Sequence, residues 1–470
     1  MWWLAPLLLA VLFLLIDGAN LRERSLRGFW FGFGSFATGT YWLYISIHDF
    51  GGVAPPIAIA LCGTLILLMA LYMAAWGALS ALVAPRSSGW QLLAVLPAFW
   101  TLVEWTRSWL FSGFPWLSLG YGQIDGPLAA WAPVAGVHGV SLLVALCAGA
   151  LAALVIGATR VRLTAVGLLA GIAVATVLLT GHQWTAPDGD ALDVALIQGG
   201  ITQDRKWLVE ELETTKTLFR DLTVKMDKAD LIIWPEAAIP ALAHEEEDYL
   251  RSLGELMKAR RQELILGILT FDFATGEFRN SLLTVGGSAG VYNKRHLVPF
   301  GEYFPVPDFI RKVLRLMNLP YTDITPGLDR QLPLRVHGIA LAPSICFEDA
   351  FGTELRDFLP EAGLLINVSN DGWFGSSIAP HQHLQMARFR ALEAGRYMLR
   401  NTNTGITAVI DPQGTVLARG AQFQAVVVSA SVRPYQGATP WVRFGNWPVL
   451  AACCVLLLAA SLWLRLQLSG

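Results

Sequence analysis

Seven apolar runs, most of them near the length that crosses a bilayer, bracket one long polar block and dictate how this chain can be organised. The runs fall at about 2–16, 29–47, 55–83, 91–111, 134–157, 163–180 and 447–464. Charge follows the same division. Residues 1 to 180 contain no lysine and seven arginines, whereas 181 to 446 hold 26 Lys+Arg against 31 Asp+Glu, a net of −5. The expected organisation is therefore a transmembrane bundle of about six spans over 1–182, a water-soluble domain over 190–435, and one closing transmembrane helix over 446–466. The first run has no basic segment before it and no small-residue cleavage site, so it reads as a span and not as a cleaved signal.

Basic residues in short loops collect on the cytoplasmic side. Arg22, Arg24 and Arg27 follow the first run, Arg86 the third, and Arg160 and Arg162 the fifth. The loops around HDFGG and GQIDG carry no basic residue. The soluble block is expected to face outward, and the end bearing Arg465 inward. An odd number of spans then leaves the N-terminus outside with no charge to hold it there. Glu104 and Arg107 lie one helical turn apart near the end of the fourth run, so they can pair. An intramembrane functional pair and an interfacial pair reaching for water both stay open.

No basic stripe points to nucleic acid. Four of the five cysteines (Cys62, Cys147, Cys453, Cys454) sit in apolar runs, which is no disulfide framework. No CxxC or HExxH spacing is present. His381 and His383 flank Gln382 without a third or fourth ligand and read as hydrogen-bonding residues, so no metal is expected.

The soluble block alternates strand-like runs (DVALIQG, ADLIIWP, ELILGIL, NSLLTVGG, GIALAPSIC, GLLINVSN, GITAVID, QAVVVSAS) with charged helical stretches such as KWLVEELETTKTLFRDLTVKM and HLQMARFRALEAGRYML. That pattern predicts an α/β domain with a mixed or two-layer sheet. Three strands end on reactive residues: Glu236 in LIIWPEAAIP, Lys294 in VYNKRHLVPFGEY and Cys346 in SICFEDAF. Alone, Glu236 could cap a helix, Lys294 could be a surface lysine and Cys346 a packed thiol. Together they supply what thiol acyl transfer needs. An ammonium stabilises a thiolate and an oxyanion, and a carboxylate can take the thiol proton and return it to a leaving group.

At these residues the chain resembles the nitrilase superfamily, whose members use a Glu-Lys-Cys triad in an αββα sandwich. With the flanking runs included, it resembles the apolipoprotein N-acyltransferase family over nearly its full length. YNKRHLVPFGEY, WPEAAIP, ICFE, SNDGWFG, GITAVIDPQG, GFPWLSLGYGQIDGPL and FGNWP carry that resemblance. It implies Glu236 as general base, Lys294 as oxyanion-stabilising lysine and Cys346 as nucleophile. Glu302 and Glu348 are implied as supporting carboxylates, and Trp207 as a tryptophan near the lipid entrance. Asn280, Trp373 and Phe374 are counted with Trp207 as expected substrate contacts. Phe347 stands where a tyrosine is common, so that hydroxyl is absent, while the Phe347 N–H can still serve an oxyanion. The family's usual eight spans leave the first without a counterpart here.

The resemblance implies a phospholipid acyl donor, a diacylglyceryl-cysteine apolipoprotein acceptor, the lipid bilayer as setting, a bacterial inner membrane with the catalytic domain in the periplasm, and no cofactor. The absence of P-loop and dinucleotide fingerprints agrees. Nothing demands more than a monomer. A tethered amidase, and a transporter or lipid-binding scaffold on a catalytically dead fold, stay open as other readings. Segment 303–321 places Phe309, Ile310, Val313, Leu314 and Leu316 around Arg311, Lys312 and Arg315. It reads as an interfacial amphipathic arm, or as a helix packed on the sandwich. Trp373 and Phe374 read equally as a membrane-facing tip or as buried residues. If the arm gates lipid entry, Phe309→Ser with Leu314→Ser should lower phospholipid turnover more than hydrolysis of a short soluble ester. Equal losses in the two assays would sink the gating role.

Overall fold

The computed structural model describes residues 2–84, 89–303 and 324–469. Arg86 and the expected arm residues Phe309 to Leu316 lie outside them. The chain divides into two compact units, Met1–Trp184 with Thr439–Gly470, and Thr185–Ala438.

The first unit is helical, because a helix satisfies its own backbone where water is absent. Its main helices are Leu4–Ile16, Leu21–Gly39, Pro55–Val83, Leu96–Arg107, Ala132–Ile156, Thr159–Leu179 and Trp447–Ser469. Among the described residues, Pro55–Val83, Pro127–Ile156 and Thr159–Leu179 are long and apolar enough to cross a membrane, while Leu4–Ile16 and Trp447–Trp463 are apolar but shorter. Two expected spans are displaced. The second begins at Leu21 and ends at Gly39, in place of 29–47. A reciprocal cap fixes that start: Glu23 N–H donates to Asn20 Oδ1 at 3.0 Å and Asn20 N–H to Glu23 Oε2 at 3.2 Å. The fourth, expected over 91–111, is a π-helical turn Gln91–Val95 leading into Leu96–Arg107, and the chain turns away through Phe111 at φ 55°.

The capped start places Arg22, Arg24 and Arg27 inside a helix and not in a loop. Arg24 is buried, and its guanidinium donates to Ala19 O (2.8 Å), Ala84 O (2.9 Å) and Gln91 Oε1 (3.3 Å). Glu104 and Arg107 are buried too, which removes the interfacial reading. Glu104 Oε1 accepts from Trp100 Nε1 and Leu119 N, both at 2.9 Å. Arg107 donates to Trp116 O at 2.6 Å, Ser118 Oγ at 3.2 Å and Phe114 O. The two charges fasten loop 114–119 to their helix.

Thr185–Ala438 contains two mixed sheets. The first has the order Val426–Val432, Leu192–Gln198, Leu231–Ile233, Glu263–Asp272, Glu277–Val285, Val291–Asn293, with Ile239–Leu242 beside Glu263–Asp272. The second has the order Val416–Arg419, Ala408–Ile410, Met398–Thr402, Leu364–Ser369, Ile339–Ile345, Leu334–Val336. The central strands of each run parallel: Leu192–Gln198, Leu231–Ile233 and Glu263–Asp272 in one, Ile339–Ile345, Leu364–Ser369 and Met398–Thr402 in the other.

Successive side chains on a strand point to opposite faces. Val194 and Leu196 join Ile233, Ile265, Leu341, Ile345, Ile366 and Leu399 in the core between the sheets. Their neighbours Ala195 and Ile197 face outward onto Phe219, Leu253 and Met257 of helices Leu212–Val224 and Glu247–Arg260. Central strands covered on both faces read as continuous apolar runs, which is why they stood out in the sequence. Leu384, Ala387 and Ala391 of helix Ala379–Ala394 join the inter-sheet cluster's network. The result is an αββα sandwich.

One interior strand was hidden in a helical reading. HLQMARFRALEAGRYML, expected to be helical throughout, is helix only to Ala394. Gly395 takes φ 62°, ends the helix, and Met398–Thr402 enters the second sheet as an interior strand.

Helices Leu21–Gly39 and Pro55–Val83 meet through small residues. A Cβ on Gly28 would lie 2.3 Å from Met73 O, and one on Gly77 2.3 Å from Arg24 O. Gly28→Val should therefore cost about 2 kcal/mol through forced separation of the helices, read as a lowered Tm in detergent. An unchanged Tm would mean that this crossing does not support the fold.

Candidate active site

Two strand ends of the first sheet and one of the second supply the reactive side chains. Glu236 follows Leu231–Ile233, Lys294 follows Val291–Asn293, and Cys346 follows Ile339–Ile345. Cys346 adopts φ 52°, a left-handed conformation that side chains other than glycine rarely take. Its carbonyl is held by Asn367 Nδ2 and by His383 Nε2, each at 3.2 Å. A strained residue fixed at a strand-to-helix turn presents its side chain outward from the sheet.

Lys294 is 1% exposed. Its ammonium lies 2.7 Å from Glu302 Oε1 and 3.5 Å from Glu236 Oε1. Burial pulls Lys294 down, but the Glu302 and Glu236 carboxylates, then the Cys346 sulfur, outweigh it and hold the ammonium charged well above its ordinary range. Glu236 is fixed at both oxygens: Oε1 accepts from Asn280 Nδ2 at 2.8 Å and Oε2 from Asn370 N at 2.9 Å. Behind it, Gly267 leaves no room for a side chain, since a Cβ would stand 2.5 Å from Pro235 O and 2.7 Å from Glu236 Cα.

Burial pushes the Cys346 thiol up, and Glu236 adds to the push, while Lys294 pulls it down without prevailing. The lysine alone was expected to favour a thiolate. Burial and the neighbouring Glu236 carboxylate instead push the thiol up. Moving its proton to Glu236 would give Cys346 the negative charge that Lys294 then faces.

Glu348 is a clamp. Its Oε2 accepts from Ile345 N at 2.6 Å, and its Oε1 from Arg295 N at 2.7 Å and His296 N at 3.1 Å, with Tyr292 O–H at 2.9 Å. It ties the Lys294 strand end to the Cys346 turn. Burial pushes its carboxyl up to about 7 against those donors. Glu302 Oε2 accepts from Val298 N at 2.8 Å, which turns this carboxylate back onto its own loop. Phe347 packs edge-on against Phe351 and His296. Asn280 is buried, and its amide is directed at Glu236. Trp207 and Trp373 are exposed (47% and 40%), and Phe374 is half-buried.

Sequence reasoning missed a buried ionic cluster beneath the Cys346 turn. His383 Nε2 lies 2.8 Å from Asp349 Oδ1, and its Nδ1 2.9 Å from Asp371 Oδ1. Arg400 bridges the same acids, 3.1 Å from Asp349 Oδ2 and 2.9 Å from Asp371 Oδ2. Burial and Arg400 pull His383 down, but Asp349 and Asp371 raise it to about 9. Lys206, also missed, is buried with its ammonium 2.9 Å from Glu236 O. Its position just before Trp207 was the only signal.

The family models agree with this architecture. A family model described as apolipoprotein N-acyltransferase N-terminal domain matches residues 1–150, and one described as carbon-nitrogen hydrolase matches 193–439. The apolipoprotein N-acyltransferase of Methylococcus capsulatus is 40% identical over 450 residues, covering 96% of this chain and 89% of that protein. The one of Azotobacter vinelandii is 41% identical over 472 residues, covering 99% and 91%. A solved carbon-nitrogen hydrolase from Helicobacter pylori G27 aligns with TM-score 0.40 and 19% identity over 56% of this chain and 94% of that one.

The cluster makes stability depend on pH. His383 binds its proton more tightly folded than unfolded, so its contribution is whole below about pH 6.5 and is lost as pH rises through about 9. The Tm should fall across that window, and His383→Gln should flatten that part of the curve while costing about 3 kcal/mol at neutral pH. A wild-type Tm constant from pH 6 to 10 would show that His383 carries no extra proton.

Proposed function

The chain belongs to the apolipoprotein N-acyltransferase family, and on that premise we propose that it transfers an acyl chain from a phospholipid to the N-terminal amine of a diacylglyceryl-cysteine apolipoprotein through a thioester on Cys346. One observation carries this reading: a buried lysine braced by two carboxylates stands in the electrostatic field of a thiol held at a strained turn.

In the first half-reaction Glu236 takes the Cys346 proton as the sulfur attacks the ester carbonyl. The carbonyl oxygen becomes negative, and Lys294 with the Phe347 N–H stabilises it. The ester C–O bond breaks, Glu236 returns the proton to the leaving alkoxide, and a lysophospholipid departs. In the second, the free α-amine attacks the thioester carbonyl. Glu236 takes a proton from the nitrogen, the C–S bond breaks, and the proton returns to Cys346. The products are an amide and the original thiol. A thioester is reactive enough for amide formation to run downhill, so no nucleotide or other cofactor is needed. One nucleophile serving two substrates in turn gives ping-pong kinetics.

The long apolar helices support a membrane setting, which both lipid substrates require. The proposed location is the bacterial inner membrane, spanned several times, with the catalytic unit in the periplasm and Arg22, Arg27, Arg160 and Arg162 on the cytoplasmic side. A monomer suffices, since every proposed group comes from one chain. Exposed Trp207 and Trp373 are candidate lipid contacts, with Asn280 acting through Glu236.

The test is intact-protein mass spectrometry after incubation with phospholipid and no acceptor. One added acyl mass is expected, removed by hydroxylamine, discharged by a diacylglyceryl-cysteine peptide and absent from Cys346→Ala. Glu236→Gln should slow its appearance by about 100-fold or more. Folded wild-type protein that gains no adduct, and that releases ammonia from small soluble amides, would put the amidase reading ahead.

A further inference from the structure

Glu236 is gripped by more than its catalytic neighbours. The short helix Gln203–Lys206 reaches it twice. Lys206 is 2% exposed, and its ammonium donates to the Glu236 main-chain carbonyl at 2.9 Å. Gln203, also buried, accepts from Asn370 Nδ2 at 2.8 Å, and Asn370 in turn donates its N–H to Glu236 Oε2 at 2.9 Å. Asn403 Nδ2 donates to Asn370 Oδ1 at 3.2 Å and closes the chain of contacts. One turn of helix therefore holds the main chain of Glu236 directly and its carboxylate through one intermediary.

A buried ammonium facing a single carbonyl is costly, and a neutral donor would satisfy that carbonyl at less desolvation cost. The charge itself has a use here. The ionisable groups facing Lys206 are the Glu236 carboxylate, from the turn after Leu231–Ile233, and the Cys346 thiol, from the turn after Ile339–Ile345. Burial pulls Lys206 down to about 8 while those two groups resist. Lys294 and Glu302 reach the same carboxylate cluster, but Lys294 is held charged far into the alkaline range, so Lys206 is the lysine of the pair that loses its proton first.

We infer that Lys206 is a positioning residue for the proton-transferring carboxylate: its ammonium pins the Glu236 main chain and, with Gln203 acting through Asn370, keeps the carboxylate in the orientation that exchanges a proton with Cys346. The inference rests on the acyl-transfer reading above. Lys206 touches no reacting atom and leaves no covalent trace. Its loss should slow proton transfer and spare phospholipid binding.

The experiment compares full-length wild type, Lys206→Met and Lys206→Arg in mixed micelles of detergent and phospholipid. The rate of acyl-adduct formation is followed by quenching and intact mass across pH 6 to 10. Lys206→Met should lower the maximal acylation rate by about 100-fold, with the phospholipid KM changed by less than about 2-fold. The wild-type rate should decline as pH rises through about 8. Lys206→Met should lack that decline. Lys206→Arg, whose guanidinium stays charged, should also lack it while keeping more of the rate. Unchanged rates in Lys206→Met, a change confined to KM, or loss of the cooperative unfolding transition in both variants would each overturn the inference, the last by making Lys206 a packing residue only. A wild-type protein that forms no adduct at any pH would instead remove the acyl-transfer reading, and that outcome is read without either variant.

Discussion

The catalytic unit depends on a lysine that has been taken out of water. At 1% exposure the Lys294 ammonium is tolerable only because Glu302 and Glu236 stand against it. That requirement propagates. Glu302 must turn back onto its own loop, so Val298 N–H holds it. Glu236 must keep its second oxygen away from the lysine, so Asn370 N–H holds that one. The loop after Val291–Asn293 must not drift, so Glu348 ties Arg295 and His296 to Ile345. Each tie removes a freedom that would leave a buried charge without a partner.

The same logic operates beneath the Cys346 turn. A left-handed cysteine needs neighbours that over-determine it, and its carbonyl is caught between Asn367 and His383. His383 can donate there because Asp349 and Asp371 keep it protonated, and Arg400 balances the acids. The neighbouring charges also explain the thiol. A site with one cation beside Cys346 would favour thiolate. Burial and the Glu236 carboxylate reverse that and push the thiol up.

Much of this was legible in the chain, and the exceptions have physical causes. Glu236, Lys294 and Cys346 stood out because each ends an apolar strand with a reactive side chain, and strand ends are local features. The Asp349, Asp371, His383 and Arg400 cluster was illegible because its members come from four separate segments and no spacing links them. Arg400 was further hidden because it directly follows a stretch that reads as helix, although Gly395 marks the stop. Arg24 was counted as a loop charge, yet the Asn20 and Glu23 cap shows that the helix has already begun. There the signal was present, and apolar run length overrode it. Glu104 and Arg107 were rightly seen as neighbours, but their backbone partners at 114–119 lie across a turn that no periodicity reveals.

The two sheets divide the reactive groups between them: Glu236 and Lys294 leave one, Cys346 the other. Neither sheet alone holds both a thiol and a base for it. A chain emerging from synthesis completes the first sheet's main strands well before Cys346, but the strand Val426–Val432 that closes that sheet's edge comes only after the second sheet is made. The three side chains thus come together only when the whole sandwich closes. Until both sheets have formed, the thiol and the carboxylate belong to separate layers, so their meeting depends on the topology of the whole unit and not on any one local segment.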